Sequence, residues 1–141
     1  PMIRFRSGDI GYIDNTPCSC GRTHGRIHIT GRKDDMFVVS AVNVFPSDIE
    51  AVVHGLKGIT GEYLIRVYEK DYTCRYEVTI EREGSNASES DDELALRVST
   101  ALKARIGVKP AKVNVEAEGT LERSTHKAKR VIDERKLTYD I

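Results

Sequence analysis

The amino-acid sequence predicts an α+β fold: a small antiparallel sheet of βαββαβ type with helices on one face, preceded by short β-strands. Three observations carry this expectation. Segments 46–55 and 90–106 repeat apolar residues at helical spacing. Segments 62–69 and 73–82 alternate with a period of two. Glycine and proline mark the ends of these segments and are absent from their interiors.

In chain order, Phe5 to Tyr12 reads as a strand, a glycine turn and a second strand. Pro17 to Arg26 is polar and turn-rich. Ile27 to Thr30 is a short alternating strand. Met36-Phe37-Val38-Val39 is short and β-branched enough for a buried strand, and the tight segment 40–45 follows it. Pro46 and Ser47 open a helix with Ile49, Val52, Val53 and Leu56 on one face, stopping near Gly55. The strand Glu62 to Glu69 turns Tyr63, Ile65 and Val67 one way. A turn at Lys70-Asp71 leads to strand 73–82, with Tyr76, Val78 and Ile80 inward. Ser90-Asp91-Asp92-Glu93 is a capping box, and its acids suit a helix N-terminus. Leu94, Val98, Leu102 and Ile106 line that helix; Gly107 ends it, and Pro110 prevents its continuation. Lys112 to Ala117 is the last clear strand. Residues 119–131 form a basic loop, followed by a short helical tail.

At 141 residues the chain is one domain, or one domain with an appendage. Its 22 basic and 22 acidic residues cancel, and there is no basic run, so charge gives no case for nucleic acid or an anionic membrane. No stretch approaches the ~20 apolar residues of a membrane span, and no signal peptide is visible. Pro1 stands in what reads as mid-strand, the mark of a piece cut from a longer polypeptide. Three cysteines, two as Cys18-x-Cys20, make a poor disulfide framework and favour a reduced, cytoplasmic setting.

The stretch GRKDDMFVVSAVNVFPSDIE, Gly31 to Glu50, places a glycine turn and two adjacent carboxylates before a strand, a loop and a helix. On its own it is a charged turn before an edge strand. It resembles the Gly-Arg-x-Asp-Asp signature of the AMP-forming acyl-CoA ligases, most nearly the phenylacetate-CoA ligase group. Two further stretches are similar to motifs of that superfamily. Phe5-Arg6-Ser7-Gly8-Asp9 matches its aromatic-basic-Thr-Gly-Asp motif; a hairpin aspartate is the plainer reading. Leu121 to Arg130 matches its C-terminal lysine motif, with Glu122 where the family has proline and His126 where it has glycine.

The resemblance implies roles for particular residues. Asp9 accepts hydrogen bonds from both ribose hydroxyls of ATP, and Arg32 also contacts the ribose. Asp34 is a hinge. The loop Ser40, Ala41, Val42 and Asn43 faces the pantetheine of CoA; family members usually carry a glycine where Ala41 stands, and alanine resists positive φ. Lys127 falls on the adenylation lysine. Lys129 competes by spacing, and a solvated basic patch at 127–130 is the structural alternative. Residues 1–30 then form the tail of an N-terminal adenylating domain, 31–35 the hinge, and 36–141 a mobile C-terminal domain.

Cys18 and Cys20 with a nearby imidazole could hold Zn2+ if His28 or an absent segment supplied a fourth ligand; the resemblance implies half a site, the rest lying in the N-terminal domain, and free surface thiols are the alternative. The implied activity of the intact enzyme joins a small carboxylic acid to coenzyme A, using ATP and Mg2+ and releasing AMP and pyrophosphate. The piece alone is expected to be inactive. The rival reading from the topology is a non-catalytic βαββαβ ligand-binding or dimerisation module, in which an edge strand pairs two copies as a homodimer.

Overall fold

The computed structural model describes residue 3 and residues 5–84, 89–123 and 130–135. An N-terminal ribbon pairs β1 (Asp9–Asp14) with β2 (Arg26–Arg32). A short 3-10 turn, Lys33–Asp35, with no buried residue, links it to the rest. Next comes a three-residue hairpin of β3 (Phe37–Val39) and β4 (Val42–Val44), followed by helix α1 (Pro46–Gly55). Strands β5 (Ile59–Lys70) and β6 (Thr73–Arg82), helix α2 (Asp91–Ile106), β7 (Lys112–Glu116) and β8 (Val131–Asp133) complete the order. The main sheet runs β7-β6-β5-β8. Helix α1 packs on β5, α2 on β7, and the helices on each other, so both cover one face.

The core follows the apolar periods. Tyr63, Ile65 and Val67 of β5 and Tyr76, Val78 and Ile80 of β6 are buried beneath Ile49 and Val53 of α1 and Leu94, Val98 and Leu102 of α2. Phe37, Val39 and Val44 close one end, with the Phe37 ring tilted on Tyr76 at 5.7 Å. The Tyr76 hydroxyl donates to the Val108 carbonyl at 3.0 Å, and burial pushes its phenol well up.

Helix ends obey their sequence signals. The Ser90 side chain accepts from the Glu93 N–H at 3.3 Å, and Glu93 accepts from the Ser90 N–H at 2.9 Å, a closed capping box. Gly107 takes φ 92°, and its N–H reaches the Lys103 carbonyl. The β5–β6 turn uses two left-handed residues, Asp71 and Tyr72, the pattern whose twist matches the flanking strands.

Several details depart from the sequence expectation. Residues 5–8 are not a strand; Asp9 begins β1 instead. Val42 and Asn43 are not loop but β4, leaving Ser40-Ala41 as a two-residue turn. The strand expected at 36–39 pairs with β4 and stays out of the main sheet, because three residues on a tight turn return at once on themselves. Residues 131–133 are not helical tail but β8, parallel to β5. The sheet is therefore mixed: β5–β6 is antiparallel, and β5–β8 and β6–β7 are parallel. Strand β8 covers the β5 edge, which would otherwise present unpaired amides.

Candidate functional site

The ribbon brings three of the sequence-predicted residues together. Asp9 and Arg32 are cross-strand partners at its open end. Arg32 Nε stands 3.8 Å from Asp9 Oδ1, and its Nη2 stands 3.7 Å from Asp34 Oδ2 and 3.3 Å from the Ser7 carbonyl. The Gly8 carbonyl accepts from the Lys33 N–H at 2.8 Å. Gly8 takes φ 79°, and a Cβ there would stand 3.2 Å from Asp34 Oδ2, so the Ser-Gly-Asp turn and the Lys33–Asp35 turn lie against each other. The Asp34 side chain is 73% exposed and Arg32 45%. The cluster is a solvent-facing carboxylate, guanidinium and carboxylate, each with donor or acceptor capacity to spare.

The ribbon has two unlike faces. Ile13, Ile27 and Ile29 share one and are 60–71% exposed. On the other, Tyr12 stacks on His28 at 4.9 Å, and Arg26 Nη2 meets Asp14 Oδ2 at 2.6 Å. Hydrogen bonds from the Thr16 N–H and hydroxyl, and from Arg26, hold the Asp14 carboxyl below the usual range. The ribbon touches the start of helix α1 at its Arg32 end. Ser47 Oγ donates to the Thr30 carbonyl at 2.7 Å, and a Cβ on Gly31 would stand 3.0 Å from the Phe45 ring.

At the β3–β4 turn, Ser40 and Ala41 take φ 50° and 63°. Alanine does adopt the left-handed conformation here, at a cost a glycine would not bear. Val42 is half-buried, while Ser40, Ala41 and Asn43 are exposed. A cavity of about 210 Å³ opens beside Ser40, lined also by Arg75, Tyr76 and Lys109. Lys127 lies outside the described residues, as does Lys129.

Cys18 and Cys20 place their sulfurs 3.0 Å apart. The hydrogen bond from the Cys20 side chain leads the effects that lower the Cys18 thiol from its ordinary value, with Arg26 contributing. Among the described residues, no third His, Cys, Asp or Glu joins them in a metal-sized group.

Sequence reasoning missed Glu81. Alternation along β6 assigns it to the face away from the helices, yet it is fully buried. Its Oε1 accepts from the Leu121 N–H at 2.5 Å, its Oε2 from Thr60 Oγ1 at 3.2 Å, and Arg123 Nη2 stands 3.5 Å from Oε2. Burial alone would raise its carboxyl, but hydrogen bonds from the Leu121 and Gly119 N–H groups and Thr60, and the Arg123 charge, leave it below the usual value. Arg130, seven residues after Arg123, sits 4.5 Å over the Tyr63 ring and 3.4 Å from Glu62. No sequence signal marks Glu81, because its burial comes from chain returning forty residues later.

Comparison with known proteins adds a second line. Residues 41–135 match the family model of the AMP-binding enzyme C-terminal domain. The phenylacetate-coenzyme A ligase of Thermus thermophilus is 32% identical, aligned over 96% of this chain and 34% of that protein. The chain thus spans about a third of the length of the curated relatives it matches. Among solved structures, 2-hydroxyisobutyryl-CoA ligase with 2-HIB-AMP in its postadenylation state superposes with a TM-score of 0.85 at 32% identity, over 95% of this chain and 29% of that one. In its thioesterification state, with 2-HIB-AMP and CoA, the same ligase gives 0.66 at 33% identity, over 96% and 29%. A domain of phenylacetate-coenzyme A ligase from Bacteroides vulgatus gives 0.64 at 29% identity, over 74% of this chain and 96% of that one.

Proposed function

The chain belongs to the family of AMP-binding enzyme C-terminal domains, and from that premise we propose that it is the C-terminal part of an AMP-forming aryl- or acyl-CoA ligase. Residues 1–30 belong to the N-terminal adenylating body, residues 31–35 are the hinge, and residues 36–141 are the small domain that swings. The observation that carries this reading is the contrast in fit. One chain superposes at 0.85 on a relative's postadenylation state but at 0.66 on its thioesterification state, at nearly equal coverage. The relative's two states therefore arrange the matched region differently, which supports a division within this chain. The exposed isoleucines of the ribbon support the division, being the apolar surface that a larger body would cover.

The chemistry follows in two steps. A carboxylate attacks the α-phosphorus of ATP, and negative charge grows on the phosphoryl oxygens and the departing pyrophosphate. Asp9 holds the ribose by its hydroxyls, and Arg32 donates to the same sugar. The ammonium of Lys127 meets the developing charge, and its flexible stem lets it arrive only in this pose. The small domain then turns about Asp34, the Ser40-Ala41 turn comes to the site, and the CoA thiol displaces AMP from the acyl-adenylate.

Magnesium accompanies the ATP phosphates and supplies further positive charge. Cys18 and Cys20 supply two thiols of a tetrahedral zinc set and do not complete one. The acid is a small carboxylic acid, as the names of the matched phenylacetate- and 2-hydroxyisobutyryl-CoA ligases suggest. A cytoplasmic setting, where ATP and CoA are both at hand, suits this reaction.

The test uses the polypeptide that carries the N-terminal body. Lys127→Ala should slow pyrophosphate release by about 10²–10³-fold, while CoA still consumes supplied acyl-adenylate within about threefold of the unaltered rate. An unchanged rate of pyrophosphate release would overturn the reading.

A further inference from the structure

Both ends of the segment 124–129 are tied to one irregularity in β5. The β5–β6 ladder pairs Ile59 with Arg82 and next Tyr63 with Ile80, so residues 60–62 face Glu81 alone. Gly61, at φ 92°, makes this bulge. From its first residue, Thr60 donates to Glu81 Oε2 at 3.2 Å. From its last, Glu62 pairs with Arg130 at 3.4 Å, while the Gly61 carbonyl lies 3.5 Å from Arg130 Nη1. On the near side Glu81 gathers the Leu121 N–H and the Arg123 guanidinium. On the far side the Arg130 carbonyl accepts from the Ile65 N–H at 2.8 Å and starts β8.

A fully buried carboxylate is costly unless it is paired. An apolar residue would serve packing as well. A charge that instead binds backbone amides fixes where those amides lie, because each misplaced donor would leave a buried acceptor short.

We propose that Glu81 is a positioning residue for the adenylation step: its buried carboxylate, with the Thr60–Glu62 bulge and Arg130, fixes Leu121, Arg123 and Arg130, the described residues on either side of the segment that carries Lys127. This rests on the role given to Lys127 above. Glu81 touches no substrate. It acts by setting the point from which residue 124 departs, and a displacement of about 1 Å at such a point can cost about 10²-fold in rate.

The test compares half-reactions in the polypeptide with its N-terminal body. Glu81→Gln keeps the shape and removes the charge. It should lower kcat for acyl-adenylate formation about 10- to 100-fold. The KM for ATP should stay within about twofold, because the ribose contacts at Asp9 and Arg32 are untouched. Consumption of supplied acyl-adenylate by CoA should also stay within about twofold. A purely structural role would lower both half-reactions together, and that result, or no loss in either, overturns the proposal. Arg123 is 57% exposed, and Glu81 keeps its hydrogen bonds from the Leu121 N–H and Thr60 without it, so Arg123→Gln is the milder change and serves where Glu81→Gln does not fold. It should show the same split at about threefold to tenfold, and the absence of a split in the folded variant overturns the proposal. Lys127→Ala, run beside them, separates the two ideas. Adenylation that survives Lys127→Ala sinks the lysine reading itself. Adenylation that fails in Lys127→Ala but not in Glu81→Gln sinks only the positioning role.

Discussion

Arg32 stands between Asp9, its cross-strand partner at 3.8 Å, and Asp34, two residues along the chain at 3.7 Å. One guanidinium thus spans the last pair of the ribbon and the turn that leaves it. These ion pairs are exposed, so they contribute little stability and leave all three side chains open to a ligand.

The capping box of α2 gives a direct stability prediction. Ser90→Ala removes the acceptor for the Glu93 N–H, and its loss should cost about 1 kcal/mol. Urea unfolding of the chain checks it: the midpoint should fall with the slope unchanged. An unaltered midpoint would show that the cap contributes nothing.

Ala41 should respond in the opposite sense to most substitutions. With φ at 63°, it holds a conformation that glycine reaches without strain. Ala41→Gly should stabilise the chain, by up to about 1 kcal/mol after the extra entropy of the unfolded glycine is subtracted. A lower melting temperature for the variant would refute the strain.

Acid should unfold the chain partly through Glu81. Its folded carboxyl lies below the ordinary value of 4.5. Below that value the unfolded chain binds the proton and the folded chain resists it. The stabilisation is therefore complete above about pH 4.5 and lost as pH falls through the lowered folded value. Asp133, drawn down first by its hydrogen bond from Arg135, adds to the same limb. Melting temperatures between about pH 5 and pH 3 should fall steeply in the unaltered chain and less steeply in Glu81→Gln. Parallel curves would remove Glu81 from the account.

The isoleucine face should make the chain self-associate. Ile27 is 71% exposed and lies opposite Ile13. Ile27→Thr keeps a β-branched residue for the strand and should reduce association in sedimentation while changing stability by no more than about 0.5 kcal/mol. A large loss of stability would mean that the face is already packed.

Most of the small domain was legible because its signals are local. The period of 3.6 in α2, the Ser90–Glu93 box, Gly107 and the two-residue alternation of β5 and β6 each need only a few neighbours in sequence. Helix α1 and strand β6 have the bounds read from the sequence. The misreadings concern partners distant in the chain. Nothing in Val131-Ile132-Asp133 says that it pairs with Ile65 to Val67. Nothing in Glu81 says that Leu121 will cover it. At the site, the closeness of Asp9 and Arg32 was implied by likeness to a family, through a shared ribose; residue spacing alone would have left a hairpin aspartate and a charged turn.

The bond from Ser47 to the Thr30 carbonyl, 2.7 Å long, joins the ribbon to the helix beyond residue 34. Turning one part against the other must snap it and lift Phe45 from the Gly31 backbone. In the rotation proposed above it would work as a weak detent, worth about 1 kcal/mol, holding one orientation at rest without locking it. Exchanging substrates would need only modest differential affinity to overcome such a catch, and Ser47→Ala would leave the resting orientation less populated.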